Sequence, residues 1–307
     1  MNAEYSSAVA MVRPAAFQYN PSTADSNRFQ NKLLLSNEEA LSRALLEFDR
    51  MVNKLREWGI DVLVLHDEPY PVLPDAVFPN NWFISLPGEI ILCPMQSVLR
   101  RGERKAGFLK ELTAYTGAGQ ITNWTAMEAE NEFLEGTGSL VLDRKNKIAF
   151  ACRSERTGEK LFEKFCSHTG YEGFIFEAVD REGQLIYHTN VMMCLGNGFA
   201  VVCEEAVWKE EERKKLREII SGTGREMISI NFAQMENFAG NMLQLKNKSG
   251  EYILAMSSNA FNSLQQQQIN TIENLTKILS FDVPHIERIG GGSVRCMMAE
   301  LQRPVTK

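Results

Sequence analysis

Asn190-Val191-Met192-Met193-Cys194-Leu195-Gly196-Asn197-Gly198-Phe199-Ala200-Val201-Val202-Cys203 is an apolar run, a glycine-flanked turn and a second apolar run. Two short apolar runs joined by such a turn predict a β-hairpin. The phrase recurs along the chain. Asn81 opens 82–86, Pro87-Gly88 turns, and 90–93 returns. Ser139 opens 140–142 and 148–152 returns; Asn241 opens 242–245, Lys248-Ser249-Gly250 turns, and 252–256 returns. Ser293 opens Val294–Met298 and has no return strand after it. With openings at 81, 139, 190, 241 and 293, the period is about 50 residues, which marks a ring or stack of repeated units. Equivalent residues of distant segments are then expected around one centre.

The missing return strand is expected from the other end of the chain. Ala8-Val9-Ala10-Met11-Val12-Arg13-Pro14 reads like the other return strands, and pairing it with 293–301 would leave few open sheet edges. Amphipathic stretches predict helices over 37–58, 101–116, 156–169, 206–221 and 259–279. Three of them run into Thr116-Gly117, Thr169-Gly170 and Thr223-Gly224, glycine being the residue that best tolerates a left-handed helix stop. Further strands are expected at 61–65 and 174–176. The predicted fold is α/β: five hairpin-plus-helix blades, hairpins towards the centre and helices outside, in one domain over residues 1–307.

Composition bounds the function. The 307 residues are 44% hydrophobic, enough for a large core, and carry a net charge of -6 without a basic block, which argues against a nucleic-acid partner. Residues 1–10 lack the pattern of a signal peptide, and no run approaches a membrane span. Six cysteines, mostly inside apolar strands, read as reduced thiols of a cytoplasmic protein rather than a disulfide framework.

Cys93, Cys152, Cys194, Cys203 and Cys166 sit in apolar or amphipathic segments and read as small buried hydrophobes. Cys296 differs, because it follows Gly290-Gly291-Gly292-Ser293-Val294-Arg295, a run in which backbone can approach a ligand closely. A thiol nucleophile needs a base and a group that orients the base. His66, His168 and His285 fall at outer ends of blades or near a helix end and are expected in surface or capping roles. His188 stands two residues before Asn190, and Glu135 four before Ser139. If the hairpin mouths face one axis, Glu135, His188 and Cys296 converge there. The cluster His66-Asp67-Glu68 reads as a solvated strand end, so no metal and no cofactor are expected.

Five segments in order resemble the guanidino-group-modifying superfamily, the penteins. They are Met11–Phe17, Pro74–Trp82, Leu134-Glu135-Gly136-Thr137-Gly138, His188-Thr189-Asn190 and Gly290–Cys296. The chain is most similar to the citrulline-utilisation hydrolase branch, also called amidinotransferase-like and related to arginine deiminases. The resemblance implies a five-bladed α/β propeller with Cys296 as nucleophile, His188 as general acid/base and Glu135 as its partner. It also implies substrate contacts from Asp75 (to the α-amino group), Asn80, Asn81 and Asn190, with Arg101 and Arg156 binding the substrate carboxylate. Arginine's planar fork suits that last task.

Two departures carry information. Arginine deiminases have aspartates where Asn81 and Asn190 stand, and those carboxylates pair with the cationic guanidinium. A guanidinium buried without a countercharge is costly, whereas an amide can meet both the acceptor and the donors of an uncharged ureido group. The expected reaction is hydrolysis of citrulline to ornithine, carbon dioxide and ammonia through a covalent Cys296 intermediate. An arginine deiminase, an amidinotransferase and a non-catalytic pentein binding ring are the alternatives. The expected partner is a small molecule; the oligomeric state stays open, with a homodimer as one option. A lid is expected from 18–30, with Gly102 and Gly107.

Overall fold

In a computed structural model of the chain, residues 4–23 and 27–303 are described. Strand β1 (Ala8–Arg13) is followed by helix α1 (Asn37–Glu57) and β2 (Asp61–His66). Next come β3 (Phe83–Leu86), β4 (Glu89–Leu92), α2 (Ala106–Thr116) and β5 (Gln120–Asn123). The one-turn helix α3 (Gly136–Ser139) leads into β6 (Val141–Asp143), β7 (Ile148–Cys152), α4 (Glu159–Thr169) and β8 (Glu172–Phe176). The third repeat is α5 (Thr189–Met192), β9 (Met193–Gly196), β10 (Phe199–Val202), α6 (Glu210–Gly222) and β11 (Glu226–Ser229). The fourth is α7 (Phe232–Glu236), β12 (Leu243–Lys246), β13 (Tyr252–Ser257), α8 (Ser258–Ser263), α9 (Gln266–Glu273) and β14 (Lys277–Phe281). A π-helical turn, Ile286–Gly290, then precedes β15 (Ala299–Glu300).

These strands make five three-stranded sheets of one plan. In each, an antiparallel pair carries a third strand parallel to its middle member, as in β3-β4-β5 and β6-β7-β8. The helix between the second and third strands is the crossover that a parallel connection needs. β1 pairs antiparallel with β15, Val9 opposite Glu300 and Ala10 opposite Ala299. The chain's two ends therefore share a sheet.

The buried core lies between the sheets. Ala8, Ala10 and Val12 pack with Phe83, Ile90 and Leu92, and Ile84 and Ile91 with Ala149 and Ala151. Phe150 and Cys152 pack with Met193 and Val201, which in turn join Leu254 and Met256. Leu245 and Ile253 meet Val9 and Met11, so the fourth repeat packs on the sheet that holds the N-terminal strand. The helices cover these layers. α1 turns Ala44, Phe48, Met51 and Leu55 inward and starts at a capping box in which Ser36 and Glu39 satisfy each other's backbone N–H groups. α2 and α4 stop at Gly117 and Gly170, both left-handed.

Four details differ from the sequence reading. Each sheet has a third strand, and β5 and β11 escape a pattern search because both are short and largely solvent-facing. The helix expected over 259–279 is two shorter helices and then β14, an alternating Lys-Ile-Leu-Ser-Phe strand. The stretches 101–105, 156–158 and 206–209 lie outside the helices that follow them. Ser139 and Asn190 sit in one-turn helices, and Val294–Met298 is a buried turn with the strand confined to 299–300. The turns bring the opening residues to the strand mouths with their side chains buried.

Gly240 shows how closely the repeats approach. A Cβ there would lie 2.3 Å from the Val191 carbonyl oxygen and 2.7 Å from the Met192 carbonyl carbon, both backbone atoms that cannot move aside. Gly240→Ala is expected to lower folding stability in urea by about 1–3 kcal/mol or more. Gly107→Ala, at a position open to solvent, serves as the neutral control.

Candidate active site

Three strand mouths meet at a small, tightly filled cavity of about 20 Å³. Asp75, Phe78 and Asn81 form one wall, Arg156, Tyr187 and His188 another, and Gly290–Gly292 with Cys296 the third, joined by Asn27 and Arg100. The glycines are needed for closeness: a Cβ on Gly290 or Gly292 would meet the Phe78 ring at 2.7 and 2.9 Å.

Glu135 is fully buried behind the cavity. Its Oε2 accepts from His188 Nε2 at 2.8 Å and lies 3.6 Å from Arg156 Nη1, and its Oε1 accepts the Gln96 N–H at 3.0 Å. Burial works to raise its pKa, but the Arg156 charge, the His188 hydrogen bond and the more distant Arg100 outweigh it and hold the carboxyl at about 2. Glu135 is therefore an anion that only accepts, so His188 Nε2 carries the proton and Nδ1 keeps its lone pair. Burial, with Arg156 and Arg100 against it, lowers His188 to about 4 despite Glu135. The imidazole is a neutral base at pH 7. Gly138 leaves room beside its working edge, since a Cβ there would lie 2.8 Å from Nδ1 and 2.3 Å from Asn81 Nδ2.

Cys296 is buried, and its Sγ faces two amides: Asn241 Nδ2 at 3.3 Å and Asn190 Nδ2 at 3.7 Å. The other thiols lack such a setting; burial pushes the buried Cys93, Cys152, Cys194 and Cys203 up to about 12 and the partly buried Cys166 to about 11.

Asn81 is oriented by a buried arginine. Arg100 Nη1 donates to Asn81 Oδ1 at 2.7 Å while Glu103 grips the same guanidinium at 2.8 and 3.0 Å. A guanidinium only donates, so the amide must turn its oxygen to Arg100 and keep Nδ2 outward. That Nδ2 has no hydrogen-bond partner among the described residues, and neither does Asn190 Oδ1. Asp75 takes Asn20 Nδ2 on Oδ2 at 2.8 Å and leaves Oδ1 without a partner there.

Of the residues singled out in the sequence, Cys296, His188, Asp75, Asn81 and Arg156 line this one cavity. Glu135 stands directly behind His188 and Asn190 beside the thiol. Asn80 is buried off the cavity, its carbonyl accepting from Thr137 Oγ1 at 3.3 Å. Arg101 lies elsewhere, bonded to the Met95 carbonyl at 3.0 Å and 3.3 Å from Glu128; its neighbour Arg100 is the arginine on the wall. Arg100, Tyr187 and Asn241 were not picked out. Asn241 had a signal, since it opens the fourth hairpin as Asn190 opens the third. His168 and His285 pair with Glu89 and Glu47, away from the cavity. Of the expected lid, Asn20 and Thr23 reach Asp75, and Asn27 and Gln30 donate to the Gly290 carbonyl; residues 24–26 lie outside the described residues. Gly102 and Gly107 do not line the cavity. Among the described residues no group of three or more His, Cys, Asp and Glu could hold a metal ion, and no helix is long and apolar enough to cross a membrane.

The buried pair makes the fold acid-sensitive. Between the ordinary histidine value of 6.5 and about 4, the unfolded chain takes up a proton that folded His188 refuses, so stability falls as pH drops through that window. Glu135 extends the loss from its ordinary 4.5 towards 2. Urea midpoints are expected to fall from pH 7 to pH 4, and the fall above pH 4 to be shallower in His188→Asn.

Comparison with known proteins bears on the fold and the family. ArgZ, an arginine dihydrolase from the ornithine-ammonia cycle in cyanobacteria, has the same fold in its apo structure, with TM-score 0.76 and 16% identity over 97% of this chain and 41% of that one. AgrE in complex with L-arginine gives TM-score 0.76 and 17% identity over 98% of this chain and 41% of that one. The chain thus spans about two fifths of those two proteins, and covers 99% of the ArgZ N-terminal domain. A dimethylarginine dimethylaminohydrolase bearing an S-methyl-L-thiocitrulline adduct gives TM-score 0.65 and 14% identity over 96% of this chain and 99% of that one. No curated protein sequence matches. The model of one family, N,N dimethylarginine dimethylhydrolase, eukaryotic, matches residues 13–303. The chain belongs to that family, within the guanidino-group-modifying pentein hydrolases.

Proposed function

We propose that the chain is a citrulline hydrolase, which cleaves the ureido group to leave ornithine, carbon dioxide and ammonia. The observation that carries this reading is the orientation of Asn81. With Oδ1 committed to Arg100, Asn81 offers the cavity a donor. A guanidinium also has only donors and would face it N–H to N–H, whereas the ureido carbonyl accepts. Asn190 Oδ1, without a partner beside the thiol, can take a ureido N–H. The charges favour the same substrate. Glu103 is gripped by Arg100 and Glu135 by Arg156 and His188; Asp75, whose Oδ2 lies 3.8 Å from Arg100, keeps Oδ1 as the acceptor for an α-ammonium group. Arg156 is the expected carboxylate-binding arginine that lines the cavity.

In the mechanism, His188 Nδ1 takes the Cys296 proton as sulfur attacks the ureido carbon. The imidazolium, stabilised by Glu135, gives that proton to the δ-nitrogen as the C–N bond breaks and ornithine leaves. A carbamoyl group stays on sulfur. His188 then takes a proton from water, whose oxygen attacks the same carbon. The C–S bond breaks, the thiolate regains its proton, and the released carbamate decomposes to carbon dioxide and ammonia. The sheets pack in order, the fourth repeat meeting the sheet of β1 and β15, which packs in turn on β3 and β4; this supports reading residues 1–307 as one closed five-bladed propeller domain.

Chromatographic amino-acid analysis after separate incubation with citrulline, arginine and dimethylarginine tests the substrate. Ornithine from citrulline alone is expected, with turnover reduced by about a thousandfold or more in Cys296→Ala. Citrulline from arginine or from dimethylarginine would refute the reading, and ornithine from arginine would make the chain an arginine dihydrolase. The double variant Asn81→Asp/Asn190→Asp is expected to raise the arginine-to-citrulline ratio of kcat/KM by roughly tenfold or more. An unchanged ratio would remove the amide argument.

A further inference from the structure

We propose that Asn241 is a catalytic residue that stabilises the thiolate form of Cys296 by donating a hydrogen bond to its sulfur. Asn241 opens the fourth hairpin at the position equivalent to Asn190 in the third, and its side chain is 1% exposed. Its amide orientation is fixed from one end. Oδ1 accepts the Arg295 backbone N–H at 3.1 Å, a group that only donates, so Nδ2 must point the other way. Of the two Nδ2 hydrogens, one goes to the Asn190 carbonyl at 2.9 Å and the other to Cys296 Sγ at 3.3 Å. Asn190 Nδ2 adds a longer contact at 3.7 Å. A neutral thiol can donate to Asn241 Oδ1 only at 3.6 Å, so in the shorter contact sulfur accepts, and ionisation of the sulfur strengthens that contact. Hydrogen bonds to an ionised acceptor are about twice as strong as neutral ones.

The site needs such a donor. His188 Nε2 is spent on Glu135 and the imidazole is neutral; the buried Arg295, whose charge interacts with Cys296, turns its guanidinium to the Met298 carbonyl and Glu300 at 2.9 and 3.4 Å. An uncharged ureido substrate brings no cation; that point alone rests on the proposed citrulline reaction. A sulfur that loses its proton to His188 as it attacks is helped by dipoles already aimed at it. Asn241 and Asn190 supply them from two neighbouring repeats.

Alkylation of Cys296 by iodoacetamide in substrate-free protein, followed by peptide mass spectrometry across the neutral and alkaline range, tests this without reference to the substrate. Asn241→Ala removes the donor. Asn241→Asp keeps an oxygen for the Arg295 N–H but puts a carboxylate against the sulfur, so it guards against a loss of fold in the first variant. Both are expected to alkylate roughly tenfold or more slowly at neutral pH, with rates converging on wild type at high pH, where every thiol is ionised. Rates equal to wild type throughout, even with a lower melting temperature, would mean that Asn241 only supports the fold and would overturn the proposal. A slowdown that persists at high pH would report access rather than ionisation and would overturn it as well. Failure of citrulline turnover would leave this result standing.

Discussion

A carboxylate with no exposure to water has to be surrounded by donors, and the arrangement of the site follows from that requirement at Glu135. Its two oxygens take up the Gln96 backbone N–H, the His188 ring and the Arg156 charge. Removing any one would leave a buried charge short of a partner, the costly case. Because the carboxylate is held as an anion, the histidine tautomer is fixed and Nδ1 becomes the base. Because Arg156 is drawn to the same carboxylate, its guanidinium is held on the cavity wall over the Tyr187 ring at 5.0 Å. One buried charge thus sets a base, its tautomer and a cation.

The repeat makes this economy available. Each strand mouth delivers a residue to a common centre, so Asn81, Ser139, Asn190, Asn241 and Ser293 are equivalents put to different uses. Ser139 Oγ donates to the Arg156 carbonyl at 2.9 Å and accepts the Glu135 N–H at 2.9 Å, supporting the carboxylate from behind. Ser293 Oγ donates to Glu287 at 2.6 Å. The asparagines face the chemistry, two at the sulfur and one beside Gly138. Amides at these positions meet the centre with dipoles rather than countercharges, the feature on which the proposed preference for a neutral ureido carbon rests.

Much of this was legible in the sequence because hairpins announce themselves. Alternating apolar runs with Gly turns gave the period, and the period gave the convergence of Glu135, His188 and Cys296. The third strands were mostly hidden: Gln120–Asn123 has a single apolar side chain, and Lys277–Phe281 follows a helical pattern without a break. Arg100 and Arg101 could not be told apart by spacing, since which neighbour turns inward depends on the 3-10 turn at Leu99–Glu103 and on Glu103 being buried to receive it. The direction of the Asn81 amide is equally invisible in one dimension, because it is set by Arg100.

In the proposed reaction the sulfur of Cys296 attacks an uncharged ureido carbon. Intact-mass spectrometry of protein mixed with citrulline and quenched in acid tests it most directly. The account predicts a carbamoyl adduct that maps to Cys296 and is absent from Cys296→Ala. An amidino adduct formed from arginine, with none from citrulline, would contradict it.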